Sequence, residues 1–293
     1  MISGSFGIIS RHGNELQTKL LLFGALALAL VSVSCGDARP QPGTPAFFWG
    51  EARDAYQAGD FTTTDEKLQQ ILAGDNEYVA RARPWDIVIS AGLAQAHGEL
   101  ADAFDAGARA NRGRPEPFRE HVTAERKAAN AAAIQLAQEL HKLIANDKSP
   151  NVALTFQYPA GSLMQPRELG KITVGMLVPD SERELLQTAM LQRGVRQAVC
   201  KAVDADDDPD KAAQKLKTGQ VLLRRNIFLW AAAKMLEQQS QLFAHDKLDQ
   251  PDRFILMSEE ALAALKEIPE TGDSKALAQK IQKALDDLKK KGA

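Results

Sequence analysis

The sequence predicts a mostly α-helical protein: a helical-hairpin solenoid or bundle with a small β-hairpin inserted in it. Three observations carry this prediction. Long stretches are dominated by Ala, Leu, Gln, Glu and Lys, which are strong helix formers. Aromatic residues make up only 6% of the 293 residues, and there are 20 Gly and 13 Pro, too few β-favouring side chains and turn signals for a sandwich or barrel. Hydrophobic residues at 44% and charged residues at 25% are the proportions of a globular chain with a sizeable core. The 36 Lys and Arg nearly balance the 38 Asp and Glu. No basic field is available to hold a polyphosphate backbone, so nucleic acid is not an expected partner.

The elements follow in order. Thr44-Pro45 pairs an N-cap acceptor with Pro at the first helical position, and apolar residues at helical spacing run from Ala46 to Ala58 before Gly59-Asp60. A second helix, capped by Thr62 with Asp65 three residues on, reaches Gly74. After the break at Arg112–Pro117, a long helix is expected from about Phe118 to Ala145. Apolar residues then alternate at Val152, Leu154, Phe156 and Tyr158, and again at Ile172, Val174, Met176 and Val178. Residues 152–178 therefore read as a β-hairpin, whose apolar face must lie on helices because a lone hairpin is marginal in water, or as an irregular loop joining two helical halves.

Ser181-Glu182-Arg183-Glu184 resembles a capping box and opens a helix to about Val203. One further long helix is expected from Pro209 through Val221-Leu222-Leu223 and Ile227-Phe228-Leu229-Trp230 to beyond Leu236, hydrophobic on most sides and hence central. Helices over Pro251–Glu267 and Ser274–Lys290 close the chain, giving long helices over 180–291 and eight or nine helices in one α-domain over 45–293.

The N-terminus reads as an address. Leu20 to Val31 is uninterrupted apolar sequence with Arg11 and Lys19 before it, too short for a membrane span of about 20 residues and right for the core of a secretory signal peptide. Val33-Ser34-Cys35 resembles the lipobox of bacterial lipoproteins, although Ser32 stands where that family usually has an aliphatic residue. The resemblance implies a signal peptide over 1–34, acyl chains (palmitate or similar) on Cys35 and a flexible tether over 35–44. Gly36, rather than Asp, after the cysteine implies the outer membrane, facing the periplasm. Several acyl chains make such an anchor effectively permanent.

A second resemblance is local. Phe48, Ala52, Ala55, Tyr56, Gly59, Asp60 and Phe61, with Leu68 and Ile71 returning, resemble a tetratricopeptide repeat, in which small residues let two helices cross closely. Ala91, Ala94, Gly98, Glu99, Leu100 and Ala103 repeat the pattern later. The resemblance implies repeat-like hairpins over 45–111.

Motifs that carry chemistry are scarce. Asp204-x-Asp206-x-Asp208 begins like a calcium loop, but Pro209 stands where the loop needs Gly and Lys215 where it needs a bidentate Glu. The residues read instead as a cap for the next helix. His97, His121, His141 and His245 lack ligand-like spacing. Cys200, on a helical pattern with no nearby His, reads as a small buried hydrophobe. No nucleophile elbow, dinucleotide fingerprint or phosphate loop is present, so neither catalysis nor a cofactor or metal is expected.

Two constellations remain as candidate binding residues. Arg224 and Arg225, followed by the apolar run Ile227-Phe228-Leu229-Trp230, could hold an anion in a groove, or pair with acidic neighbours. Phe47-Phe48-Trp49 beside the tether reads as a staple that closes the core. The leading expectation is a lipid-anchored helical module that binds another envelope protein. The rival is a ligand-handling lipoprotein associated with a solute transporter, holding a small molecule in a pocket by Trp230 and Phe228.

Overall fold

The computed structural model describes residues 40–291 other than 160, 162, 245, 246 and 249, with the backbone only at 289 and 291. Cys35, the expected signal peptide over 1–34 and His245 lie outside the described residues, and one compact unit runs from Pro42. The protein is a helical bundle with one small antiparallel sheet: ten α-helices and two strands among the described residues. No helix of the described residues is long and apolar enough to cross a membrane.

Helix α1 (Pro45–Ala58) starts as the sequence predicts, with the Thr44 hydroxyl accepting from Phe47 N–H at 3.3 Å. It ends at Gly59, whose φ of +75° is a left-handed conformation that glycine adopts without a Cβ clash. Helix α2 (Phe61–Leu72) is capped by Asp60, not Thr62: its carboxylate accepts from Thr63 N–H at 3.0 Å. The first expected hairpin therefore forms.

The second does not. Helix α3 (Val79–Ala110) runs unbroken for 32 residues, about 48 Å at 1.5 Å per residue, and contains every residue of the expected second repeat. Gly98 is not a turn there. It makes room for Leu242, whose side chain a Cβ would meet at 2.7 Å, while Glu99 pairs with Arg193. From Ala82 to Gly107 helix α3 is buried on most of its circumference, which makes it the axis of the bundle.

Helix α4 (Glu116–Asn146) is the long helix expected there, and it returns beside α3. Strand β1 (Asn151–Leu154) follows, but the predicted second strand is absent. Helix α5 (Arg167–Thr173) takes in its first two residues, because Leu169 and Ile172, three apart, bury one side of a helical turn. Gly175, at φ +85°, ends it with its N–H on the Ile172 carbonyl at 2.9 Å. Val174, Met176 and Leu177 remain exposed.

Helix α6 (Asp180–Ala202) begins after Pro179 with no side-chain cap, so the expected capping box is not made. Asp208 does cap α7 (Pro209–Lys215), accepting from Asp210 and Lys211 N–H. The predicted continuous helix then breaks. Gly219 takes φ +62°, and Val221–Arg224 forms strand β2, pairing antiparallel with β1 in the register Val152 to Leu223 and Ala153 to Leu222. The strand pair joins residues about 70 apart rather than neighbours. Helices α8 (Arg225–Ser240), α9 (Pro251–Lys266) and α10 (Gly272–Lys291) complete the chain, with a short 3-10 turn at Gln241–Phe243.

One core cluster centres on aromatic rings. Phe156, in the irregular segment after β1, stacks on Trp85 at 4.8 Å and lies 4.8 Å from Tyr56 and 5.0 Å from Trp49. Trp49 is thus part of the core wall, in keeping with its reading as a staple. A second cluster lies among α3, α4, α5 and α6 around Phe104, Phe118, Ile172 and Met190.

Candidate functional site

The sheet has the alternation of a half-buried surface. Val152, Leu154 and Leu223 face the core, and Asn151, Ala153, Leu222 and Arg224 face outward. Leu222 is 71% exposed, unusual for a leucine in a strand. A groove of about 590 Å3 follows β1: Asn151, Val152 and Ala153 line it with Leu222, against Val79, Ala80 and Pro84 at the start of α3 and Leu143 at the end of α4. Its polar rim includes Asp75, Asn76 and Asp147.

The expected binding residues are not brought together. Arg224 closes strand β2 and is exposed. Arg225 begins α8 and joins three elements: its N–H donates to the Pro150 carbonyl at 2.8 Å and its guanidinium to the Leu143 carbonyl at 3.3 Å. These bonds make Arg225 part of the scaffold. The two arginines are therefore not neighbours on one helix.

Trp230 lines a separate open groove of about 660 Å3 with Lys201, Asp204, Lys234, Glu237 and Lys280. The Lys234 ammonium lies over its ring at 5.6 Å and Lys280 pairs with Glu237 at 2.8 Å. Phe228 is fully buried and shares no wall with it. The pocket expected between these two aromatics is not formed.

Lysines tie the acidic loop together. Lys215, at the position where a calcium loop has its glutamate, donates to the carbonyls of Val203 and Asp204 at 2.6 Å each. Lys211 pairs with the Asp206 carboxylate at 2.7 Å. Asp204, Asp206 and Asp207 all have positive φ, a strained conformation for residues with a Cβ. Among the described residues no group of three His, Cys, Asp or Glu side chains could hold a metal ion. His97 bonds Glu125 at 2.7 Å and His141 bonds Glu260 at 3.0 Å. Cys200 is fully buried beneath Tyr158, whose hydroxyl is 3.5 Å away, and burial pushes its thiol pKa up.

Sequence reading missed a polar cluster inside the bundle. Asp86 is 0% exposed. One of its oxygens accepts from Gln135 at 3.0 Å, and the other has no partner among the described residues. Next to it, Asp65 accepts from Ser90 at 3.3 Å and Gln69 at 2.6 Å. Burial pushes Asp65 up to about 6 and Asp86 well above the usual carboxylate range. Glu139 nearby is neutralised by Arg83 at 2.9 Å and Lys142 at 2.6 Å. The available signal was a lone acid in Trp85-Asp86-Ile87-Val88-Ile89.

No family model, curated protein or solved structure matches the chain. The fold defines a class, an α-helical bundle carrying a small two-stranded antiparallel sheet.

Proposed function

We propose that this chain is a membrane-anchored envelope lipoprotein whose helical domain serves as a protein–protein interaction module. The anchor rests on the sequence: an apolar run, a Ser34-Cys35 junction and a linker before Thr44. The interaction reading rests on one observation, the apolar surface left uncovered around the α5–α6 connection. Val174 is 66% exposed there, Met176 56% and Leu185 72%. Exposed large apolar side chains close in sequence are what a partner covers, and methionine adapts to varied surfaces. The buried Phe228 and the charged groove at Trp230 favour contact with a protein over enclosure of an apolar small molecule. Acylation at Cys35 would place the module at the periplasmic face of the outer membrane.

Affinity capture of the full chain from detergent-solubilised envelopes tests this. The reading expects one envelope protein to be recovered reproducibly, and to be lost when Met176→Asp and Leu185→Asp are combined. Recovery of none, or equal recovery by the variant, would contradict it.

A further inference from the structure

The groove along β1 adds a specific mode of contact, which rests on the reading as an interaction module. The Arg225 N–H bond to Pro150 sets the parity of the ladder. Val152 with Leu223 and Leu154 with Val221 are the hydrogen-bonded pairs, so the N–H and C=O of Ala153 point away from β2. Among the described residues no backbone or side-chain group meets them. The strand carries no Lys and no Pro to blunt this edge, and Leu222 adds an exposed apolar side chain opposite Ala153.

The groove supplies room for a third strand. Three successive β1 residues line one side and the ends of α3 and α4 the other. Its rim is acidic: Asp75 and Asp147 line it, and neither is ion-paired among the described residues, while Arg83 in the same wall is held by Glu139. An occupant in extended conformation would satisfy the free backbone groups of Ala153, set apolar side chains against Ala153, Val79 and Pro84, and place a cation by Asp75 and Asp147.

We propose that β1 is a docking edge for strand addition, and that the partner contributes an extended segment of alternating apolar residues ending in lysine or arginine. A two-stranded sheet is marginal alone, and a third strand would make β1 a central one.

The probe is an end-capped, fluorescein-labelled peptide, Thr-Val-Thr-Val-Thr-Val-Lys, titrated into the full chain and read by fluorescence anisotropy. The proposal expects saturable binding. It also expects at least a tenfold loss when the three central residues of the peptide are N-methylated, since this removes the donors of the added strand and leaves its side chains. Replacing the peptide's lysine by glutamate, or combining Asp75→Asn with Asp147→Asn in the protein, should weaken binding several-fold. In amide exchange the Ala153 N–H should become protected on saturation. Equal affinity of the N-methylated peptide, or no binding at all, would overturn strand addition. Envelope capture through Met176 and Leu185 would be untouched by that failure, so the two readings fail separately.

Discussion

Gly92 and Gly194 lie face to face where α3 crosses α6, so close that a Cβ on either would collide with the backbone of the other helix. This contact brings Arg193 within reach of Glu99 and Gln95 within 2.9 Å of Gln197. Gly92→Ala or Gly194→Ala should therefore force the helices apart. Overpacking of this kind costs about 1–3 kcal/mol. A fall in melting temperature of roughly 3–10 °C is expected for either, and an unchanged melt would mean that the crossing is not this close.

The turn after α1 is a second sensitive point. Gly59 combines a φ of +75° with a Cβ position 2.7 Å from the Gln192 amide nitrogen. Gly59→Val should cost more than about 1 kcal/mol through backbone strain alone. Thermal unfolding of the domain checks it. Gly50, on the same helix, where a Cβ would meet nothing within 4 Å, is the control and should tolerate alanine.

The buried acids make stability depend on pH in a known direction. Both Asp65 and Asp86 bind a proton more tightly folded than unfolded, so their contribution is fully present below the unfolded value near 3.8 and is lost as pH rises. For Asp65 the loss runs through about 6; for Asp86 it continues higher. Asp86→Asn keeps an acceptor for Gln135 and removes the charge. The variant should be more stable than the parent by about 1–3 kcal/mol at pH 8 and nearly equal to it at pH 4. Urea unfolding at the two pH values decides this, and a difference independent of pH would contradict it.

Arg225 and Arg224 should separate cleanly. Arg225→Met removes a donor from the Leu143 carbonyl and loosens the junction of α4, β1 and α8, at a cost of about 1–3 kcal/mol. Arg224→Met, on the exposed sheet face, should leave the melting temperature within about 1 °C, as surface substitutions usually do.

Lys215 offers a test of the acidic loop. Its ammonium neutralises two carbonyl oxygens at the end of α6, so Lys215→Met should destabilise the fold by about 1–2 kcal/mol. Calcium should raise the melting temperature of neither protein. Stabilisation of the parent by millimolar calcium would show that the loop binds the ion after all.

Features legible in the sequence were those whose cause is local. Thr44-Pro45, Gly59, Asp208-Pro209 and Pro251 mark element ends by their own backbone chemistry, and all four lie at such ends. Non-local features were not legible. Val221-Leu222-Leu223 suits a helix or a strand equally, and pairing with Val152 and Ala153 decides it. Lys171 to Val178 alternates like a strand, yet its first three residues close α5, where Leu169 and Ile172 are buried, and Val174, Met176 and Leu177 stay exposed. The spacing of Gly98 imitates a repeat turn, although its small size serves Leu242. The candidate surface went unread for the same reason. Leu222 inside a supposed buried helix is unremarkable, and only the strand pairing turns it outward.

The central claim is that an anchored module holds a partner at its uncovered apolar surface. Its most direct test is quantitative affinity capture from solubilised envelopes, comparing the parent with the Met176→Asp, Leu185→Asp double variant at matched expression and melting temperature. The account predicts one envelope protein recovered in near-stoichiometric yield with the parent and at least tenfold less with the variant. Equal yields, or no protein enriched with the parent, would contradict it.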